Sequence, residues 1–151
     1  MFSRQVKVTA VMTAAWDSGQ RDLLPSPIVH SLVYYLMRGR EGICFPGYVF
    51  SLSTYPRFGP FVNDEQDIPY PRSTELSDDL ETLVSAGLLE KKIGSICYRT
   101  AVGAKDESQR VREAFNKLNP PVPYDQLVDR VRPLANNWTD LIRSCRELYL
   151  R

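Results

Sequence analysis

The chain has 151 residues, 43% of them hydrophobic and 25% charged, with a formal net charge of +1. This length supports one domain with its own core, or one domain with a small appendage, and the composition argues against disorder and membrane residence. The charge is uneven, since residues 62–104 hold eight acidic and four basic residues whereas both flanking parts have a basic excess. The N-terminal residues do not fit a signal peptide, because Lys7 and Thr9 interrupt their apolar run.

The cysteines indicate a reducing compartment. Cys44, Cys97 and Cys145 are odd in number and widely spaced, and no Cys-x-x-Cys pair occurs. We therefore expect a cytoplasmic protein whose thiols fill the core, in preference to a redox role.

The first third of the chain predicts two helices. Apolar residues at helical spacing indicate a helix over residues 4–17. A second helix is predicted from Ser26, whose side chain would cap it, with Pro27 at its first position, to about Arg38. Residues 39–47 are predicted to form a loop.

A strand and a corner follow. Alternating apolar residues predict a half-buried strand over residues 48–53. The Gly-Pro step in the next segment, YPRFGPFV, predicts a corner that turns the strand toward the next helix, with Phe58 and Phe61 anchored in the core. Residues 63–71, NDEQDIPYP, are acidic and contain two prolines, so we expect an exposed loop without regular structure.

The middle of the chain predicts a third helix and a hairpin. Residues 73–86 return to helical spacing, and Gly87 stands at the expected stop of this helix. The segments 88–93 and 95–100 flank a turn at Gly94 and predict a β-hairpin.

The last third is predicted to be helical. Three amphipathic segments are expected, over residues 111–118, 124–131 and 138–149. Prolines separate the first two, Pro133 closes or kinks the second, and Asn137 is a candidate cap of the third.

In chain order these elements are helix, helix, strand, helix and hairpin, which is the outline of a winged helix domain. We therefore predict an α+β fold, mainly α. It consists of a winged helix domain over residues 1–103 and a helical C-terminal extension over residues 104–151 that packs on it.

The residues that catalysis needs are scarce. The single histidine, His30, lies beside apolar positions of the second helix, so a structural role is favoured over a catalytic base. The carboxylates of residues 64–67 and 75–81 could hold Mg²⁺, but a solvated loop and the early turns of a helix account for them without a metal. We predict no enzyme activity, no cofactor, no metal and no small-molecule substrate.

The third helix has the wrong charge for reading DNA. Helices that enter the major groove present basic or amide side chains, whereas this helix has four acids and no base. Its charge and that of the preceding segment predict contact with protein partners. The acidic candidates for partner binding are Asp64, Glu65, Asp67, Glu75, Asp78, Asp79 and Glu81.

Basic residues could still touch nucleic acid. Lys91, Lys92 and Arg99 of the hairpin could contact a phosphate backbone, although such side chains are usually only solvated. Cations on another face that could also meet phosphates are Arg38, Arg40 and Arg57.

The C-terminal helices carry an aromatic and aliphatic stripe with two interpretations. It can pack against the winged helix core, or it can seat a partner helix or a second copy. The aromatic candidates for partner binding are Tyr124, Trp138 and Tyr149.

Three motifs carry a family resemblance: RFGPFV at 57–62, LSDDLETLVSAGLLE at 76–90 and YRTAVG at 98–103. They resemble segments of the small bacterial winged helix proteins of the YwgA and SocA-like antitoxin type. Similar domains are the middle-component subunits of ABC-three-component antiphage systems, including the Lamassu type. The resemblance covers residues 48–103 and implies protein partners, namely an SMC-like ATPase and an effector subunit.

The expected function is therefore a non-enzymatic accessory subunit that binds partners in a bacterial antiphage defence complex containing an SMC-like ATPase. No membrane partner is expected. The alternative is a DNA-binding transcriptional regulator or antitoxin with the same fold.

Overall fold

The computed structural model describes residues 1–55, 68–94, 96–101 and 105–150. The helices are α1 (Ser3–Asp17), α2 (Ser26–Arg38), α3 (Thr74–Ser85), α4 (Lys105–Asn116), α5 (Tyr124–Ala135) and α6 (Trp138–Leu150). The strands are β1 (Leu24–Pro25), β2 (Ser51–Tyr55), β3 (Ile68–Arg72), β4 (Leu89–Lys91) and β5 (Cys97–Thr100). The predicted α+β class, mainly helical, is confirmed.

One sheet has three antiparallel strands in the order β1-β5-β4. Strands β4 and β5 form the predicted hairpin, and Gly94 in its turn has φ +75°, a left-handed conformation that glycine adopts without strain. The sequence pattern does not reveal β1, because a strand of two residues shows no alternation. Its Leu24 pairs with Tyr98 of β5.

The other sheet is a hairpin of β2 and β3, with Ser53 opposite Tyr70. The predicted strand over residues 48–53 is displaced, since β2 begins only at Ser51. Residues 56–67, which include the predicted corner, lie outside the described part of the chain.

The prediction of an irregular loop is wrong where β3 forms. Pro69 and Pro71 both lie within this strand. They stand two residues apart, so both ring nitrogens point to the same edge of the strand. An edge that faces away from the neighbouring strand needs no N–H groups, and proline is tolerated there.

Helix α1 is buried on almost every side, because α3, α4, α5 and β5 all pack against it. The expected apolar stripe is buried, and Ala10 and Ala14 are buried as well. The hydroxyl groups of Thr9 and Thr13 each donate to the carbonyl four residues earlier at 2.8 Å, which satisfies these buried polar groups.

The C-terminal helices share the core of the rest of the chain. Helix α5 packs on α1 and α6 packs on α2. Phe115, Leu127 and Cys145 belong to the same hydrophobic cluster as Val8 and Leu32. The division of the chain at residues 103 and 104 stays a prediction.

Helix ends agree with the sequence pattern in part. The prediction that Ser26 caps α2 is wrong, because Pro25 occupies the cap position and no side chain caps this end. Asn137 is confirmed as a cap of α6, since its Oδ1 accepts the Asp140 N–H at 3.2 Å. Helix α5 continues two residues past Pro133.

None of the helices in the described ranges combines the length and the apolar character needed to cross a membrane.

Candidate partner-binding surfaces

Asp79 is the buried link between α3 and α1. Asp79 is 4% exposed, and its carboxylate accepts hydrogen bonds from Arg4 Nε at 2.7 Å and Gln5 Nε2 at 2.9 Å. The Tyr48 hydroxyl donates a third bond at 2.6 Å. Burial, followed by the bond to Asp79, raises the pKa of Tyr48, so the phenol remains a donor. Asp79 is thus occupied inside the molecule and does not present its charge on the surface.

The other candidate acids of α3 reach the surface. Asp78 is exposed. Glu81 is also exposed, and its carboxylate accepts a bond from Lys91 Nζ that lowers the pKa of Glu81. Glu75 is half-buried and accepts the Val49 N–H at 2.9 Å. Glu75, Asp78 and Glu81 are spaced three residues apart, so they lie along one side of α3.

The basic side chains of the β4–β5 hairpin are mostly engaged. Lys91 forms an ion pair with Glu81, and Arg99 Nη2 lies 2.8 Å from Glu90 Oε2. Lys92 is exposed. Two of the three cations predicted as contacts for nucleic acid are therefore neutralised by acids of the same chain.

Both ring nitrogens of His30 take part in hydrogen bonds inside the fold. His30 is fully buried, and its Nδ1 accepts the Ser73 N–H at 3.1 Å. The ring proton consequently lies on Nε2, which is 3.2 Å from Ser77 Oγ. Burial, with a smaller effect of the Arg72 charge, lowers the pKa of His30 to about 3. A neutral imidazole that positions the start of α3 accounts for both ring nitrogens.

The three aromatic candidates occupy different environments. Tyr124 is 1% exposed, and its hydroxyl donates to Asp17 Oδ2 at 2.6 Å, so it belongs to the core. Trp138 is half-buried, and its Nε1 donates to a carbonyl of α5 at 2.7 Å. Tyr149 is half-buried, with its ring centre 6.1 Å from that of Tyr34. Of the three residues, only Trp138 and Tyr149 retain accessible surface.

A groove of about 610 Å³ between α1, α4 and α5 was not indicated by any sequence motif. The guanidinium groups of Arg21 and Arg99 lie 4.7 and 5.5 Å from the centre of the Trp16 ring. The charged residues that line this groove are Asp17, Arg21, Arg112 and Asp125. Because these charges balance, the groove suits a polar peptide segment better than a polyanion. Its residues come from distant parts of the chain, so no local pattern could have revealed it.

The remaining candidates are distributed as follows. Arg38 and Arg40 are exposed and line a second groove, of about 310 Å³, together with Glu147. The candidates outside the described residues are Arg57, Asp64, Glu65 and Asp67. Among the side chains that the structure describes, no three potential metal ligands come together.

Comparison of the chain with protein-family models, with curated proteins and with solved structures found no match. The function proposed below therefore rests on the sequence and on the arrangement of these surfaces.

Proposed function

We propose that this chain is a winged helix protein with a helical C-terminal extension that acts as a non-enzymatic, cytoplasmic, partner-binding subunit. The strand order β1-β5-β4 supports the fold, because in a winged helix the short strand after the first helix joins the outer side of the C-terminal hairpin. The helices α1, α2 and α3 then correspond to the three helices of the domain, and β2–β3 is a hairpin inserted before the third.

One observation carries the proposal of a protein partner. The helix that would enter the DNA major groove, α3, contains no basic residue and has Asp78 exposed on its accessible side. The cations Lys91 and Arg99 of the adjacent hairpin form ion pairs with Glu81 and Glu90. A surface of this charge repels phosphates and attracts a basic protein surface.

The class of partner follows from the resemblance of residues 48–103 to middle-component subunits. In this proposal the acidic side of α3 binds a basic surface of an SMC-like ATPase within an antiphage complex that also contains an effector. The balanced groove beside Trp16 is a second accessible surface suited to a polar protein segment.

The test is co-purification with the proteins encoded next to its gene. Asp78→Lys should lower the affinity for the bound protein roughly tenfold, which corresponds to about 1.4 kcal/mol. The matched control is Asp129→Lys, which makes the same charge change at an exposed position of α5. Raising the salt concentration should weaken wild-type binding more than binding by the Asp78 variant.

The competing function is a DNA-binding regulator or antitoxin. A mobility shift with duplex DNA from its own promoter region, at physiological salt, distinguishes the two functions. Sequence-specific binding by the isolated chain would overturn the proposal, as would a chain that never co-elutes with any neighbouring protein. If Asp78→Lys and Asp129→Lys changed the affinity for the partner equally, the proposal that α3 forms the interface would be wrong.

A further inference from the structure

The start of α1 carries an exposed aromatic side chain that is held in place. Phe2 is 67% exposed, yet its carbonyl accepts the N–H groups of Gln5 and Val6 at 3.0 and 3.2 Å. The Phe2 N–H donates to Gln5 Oε1 at 3.1 Å, and the ring centre lies 5.4 Å from the Arg4 guanidinium. Because these contacts fix the ring before a partner arrives, its burial in a complex costs less conformational entropy than that of a loose chain end.

Arg4 connects this ring to the loop before β2. Its guanidinium lies 5.1 Å from the centre of the Tyr48 ring, and its Nη1 donates to the Pro46 carbonyl at 3.4 Å. Phe2 and the exposed Pro46 line one small groove of about 170 Å³. Val49, which directly follows Tyr48, is 73% exposed. Phe2, Pro46 and Val49 are called the apolar patch below.

The apolar patch borders the acidic side of α3. The Val49 N–H donates to Glu75 Oε1 at 2.9 Å, and Arg4 Nε donates to Asp79 at 2.7 Å. Arg4 and Asp79 neutralise each other. Asp78 is exposed and follows Glu75 by three residues, so both lie on one side of the helix. Glu75 and Asp78 are therefore the acids whose charge borders the patch.

We infer that the apolar patch and the adjoining acids of α3 form one interface, in which Phe2 is the anchor. Its occupant is a protein surface with an apolar pocket for Phe2 and basic side chains around that pocket. Protein interfaces combine a buried aromatic anchor with a polar rim, and the patch with its acids has this composition. The inference rests on the function proposed above and names the residue that supplies the apolar core of the contact.

The acids beside the patch favour this occupant over the alternatives. Two copies that met through Phe2 about a two-fold axis would bring the acidic side of α3 from both copies into one contact, where like charges repel. Phosphates of nucleic acid and anionic lipid headgroups are repelled for the same reason. A basic protein surface is attracted by the acids and removes the Phe2 ring from water.

The test compares Phe2→Ala with Leu150→Ala in binding to the co-purified protein, by titration calorimetry. Leu150 is 66% exposed and lies on α6, so it controls for the loss of an equally exposed apolar side chain. Phe2→Ala should weaken binding at least about tenfold, whereas Leu150→Ala should leave the affinity unchanged. The unfolding free energy of Phe2→Ala in urea should stay within about 1 kcal/mol of wild type, because alanine keeps the backbone bonds of this position.

Salt separates the apolar and the charged contributions to this interface. The loss of affinity caused by Asp78→Lys should shrink as the salt concentration rises, because ions screen the attraction. The loss caused by Phe2→Ala should persist, since the burial of apolar surface does not depend on charge.

The opposing results distinguish this inference from the proposed function. If Asp78→Lys binds weakly while Phe2→Ala binds as tightly as wild type, the inference is wrong and the proposed function stands. Equal weakening by Phe2→Ala and Leu150→Ala would also overturn the inference. A wild-type chain that co-purifies with none of the neighbouring proteins would overturn both.

Other occupants of the patch would give results of their own. A wild-type dimer in light scattering that Phe2→Ala abolishes would assign the patch to a second copy. Flotation of the wild type with phosphatidylcholine vesicles, lost in the same variant, would assign it to a lipid surface. Either result would overturn the inference.

Discussion

Replacing Asp79 by alanine tests whether this acid holds the fold together. The substitution removes the shared acceptor of Arg4, Gln5 and Tyr48, whose donors lie 2.6 to 2.9 Å from the carboxylate. The neighbouring Asp78 has the same chemistry on the same helix but is exposed. The pair Asp79→Ala and Asp78→Ala therefore separates burial from charge.

The structure sets the expected magnitude. Breaking a buried ion pair costs about 3–5 kcal/mol, since one charge is left without a partner. The Arg4 side chain is 23% exposed and can partly rehydrate, which lowers this cost. Against that, the Tyr48 hydroxyl and the Gln5 amide lose their acceptor in a buried site, at about 1–3 kcal/mol for an unsatisfied group. We expect Asp79→Ala to lose about 4 kcal/mol and Asp78→Ala to change stability by less than about 0.5 kcal/mol.

Urea unfolding followed by circular dichroism measures both losses. The slope of unfolding free energy against urea should stay constant while the midpoint of Asp79→Ala falls. Arg4→Met combined with Asp79→Leu should recover part of the loss, because this double variant leaves no buried charge. A loss of less than about 1 kcal/mol in Asp79→Ala, equal to that of Asp78→Ala, would refute the structural role of this carboxylate.

Three further predictions concern pH, a helix end and the C-terminal helices. The pKa of His30 is about 3 in the folded chain and about 6.5 in the unfolded chain. The unfolded chain therefore binds the extra proton between these values. The contribution of His30 to the free energy of unfolding is therefore complete above pH 6.5, and it should fall by about 1.4 kcal/mol per pH unit below that value. The measurement is the difference in unfolding free energy between wild type and His30→Asn, from urea unfolding at each pH. Gly87→Ala should lose about 1–2 kcal/mol, because Gly87 has φ +79° and an added Cβ would meet no atom within 4 Å, so only backbone strain contributes. Phe115→Ala should lose about 3–5 kcal/mol in urea unfolding, because this side chain is fully buried in the shared core.

Each of these predictions has a clear opposing result. Parallel pH profiles for wild type and His30→Asn would contradict the lowered pKa of the histidine. Gly87→Asn should be less harmful than Gly87→Ala, since asparagine tolerates the left-handed region better, and the reverse order would point to a cause other than strain. Two separate unfolding transitions in the wild type, only one of them moved by Phe115→Ala, would argue against the shared core.

Local patterns along the chain identified every described helix and the β4–β5 hairpin, because helical spacing and turn residues act over a few neighbours. They failed at β3, where two prolines argue against a strand unless the neighbouring edge is known. Local patterns also could not show that Asp79 is buried. Asp78 and Asp79 are adjacent aspartates of the same predicted helix, yet the first is exposed and the second is buried.

The sequence by itself determined the mainly helical α+β class and the acidic character of the third helix, since these depend on residue type and local spacing. Only the tertiary structure decided which charges are available to a partner. Burial and ion pairing depend on residues far apart in the chain, as when Arg4 meets Asp79 and Lys91 meets Glu81. The pairing of β2 with β3 is likewise a property of the fold, because the two prolines of β3 are compatible with a strand only when their ring nitrogens point away from the neighbouring strand.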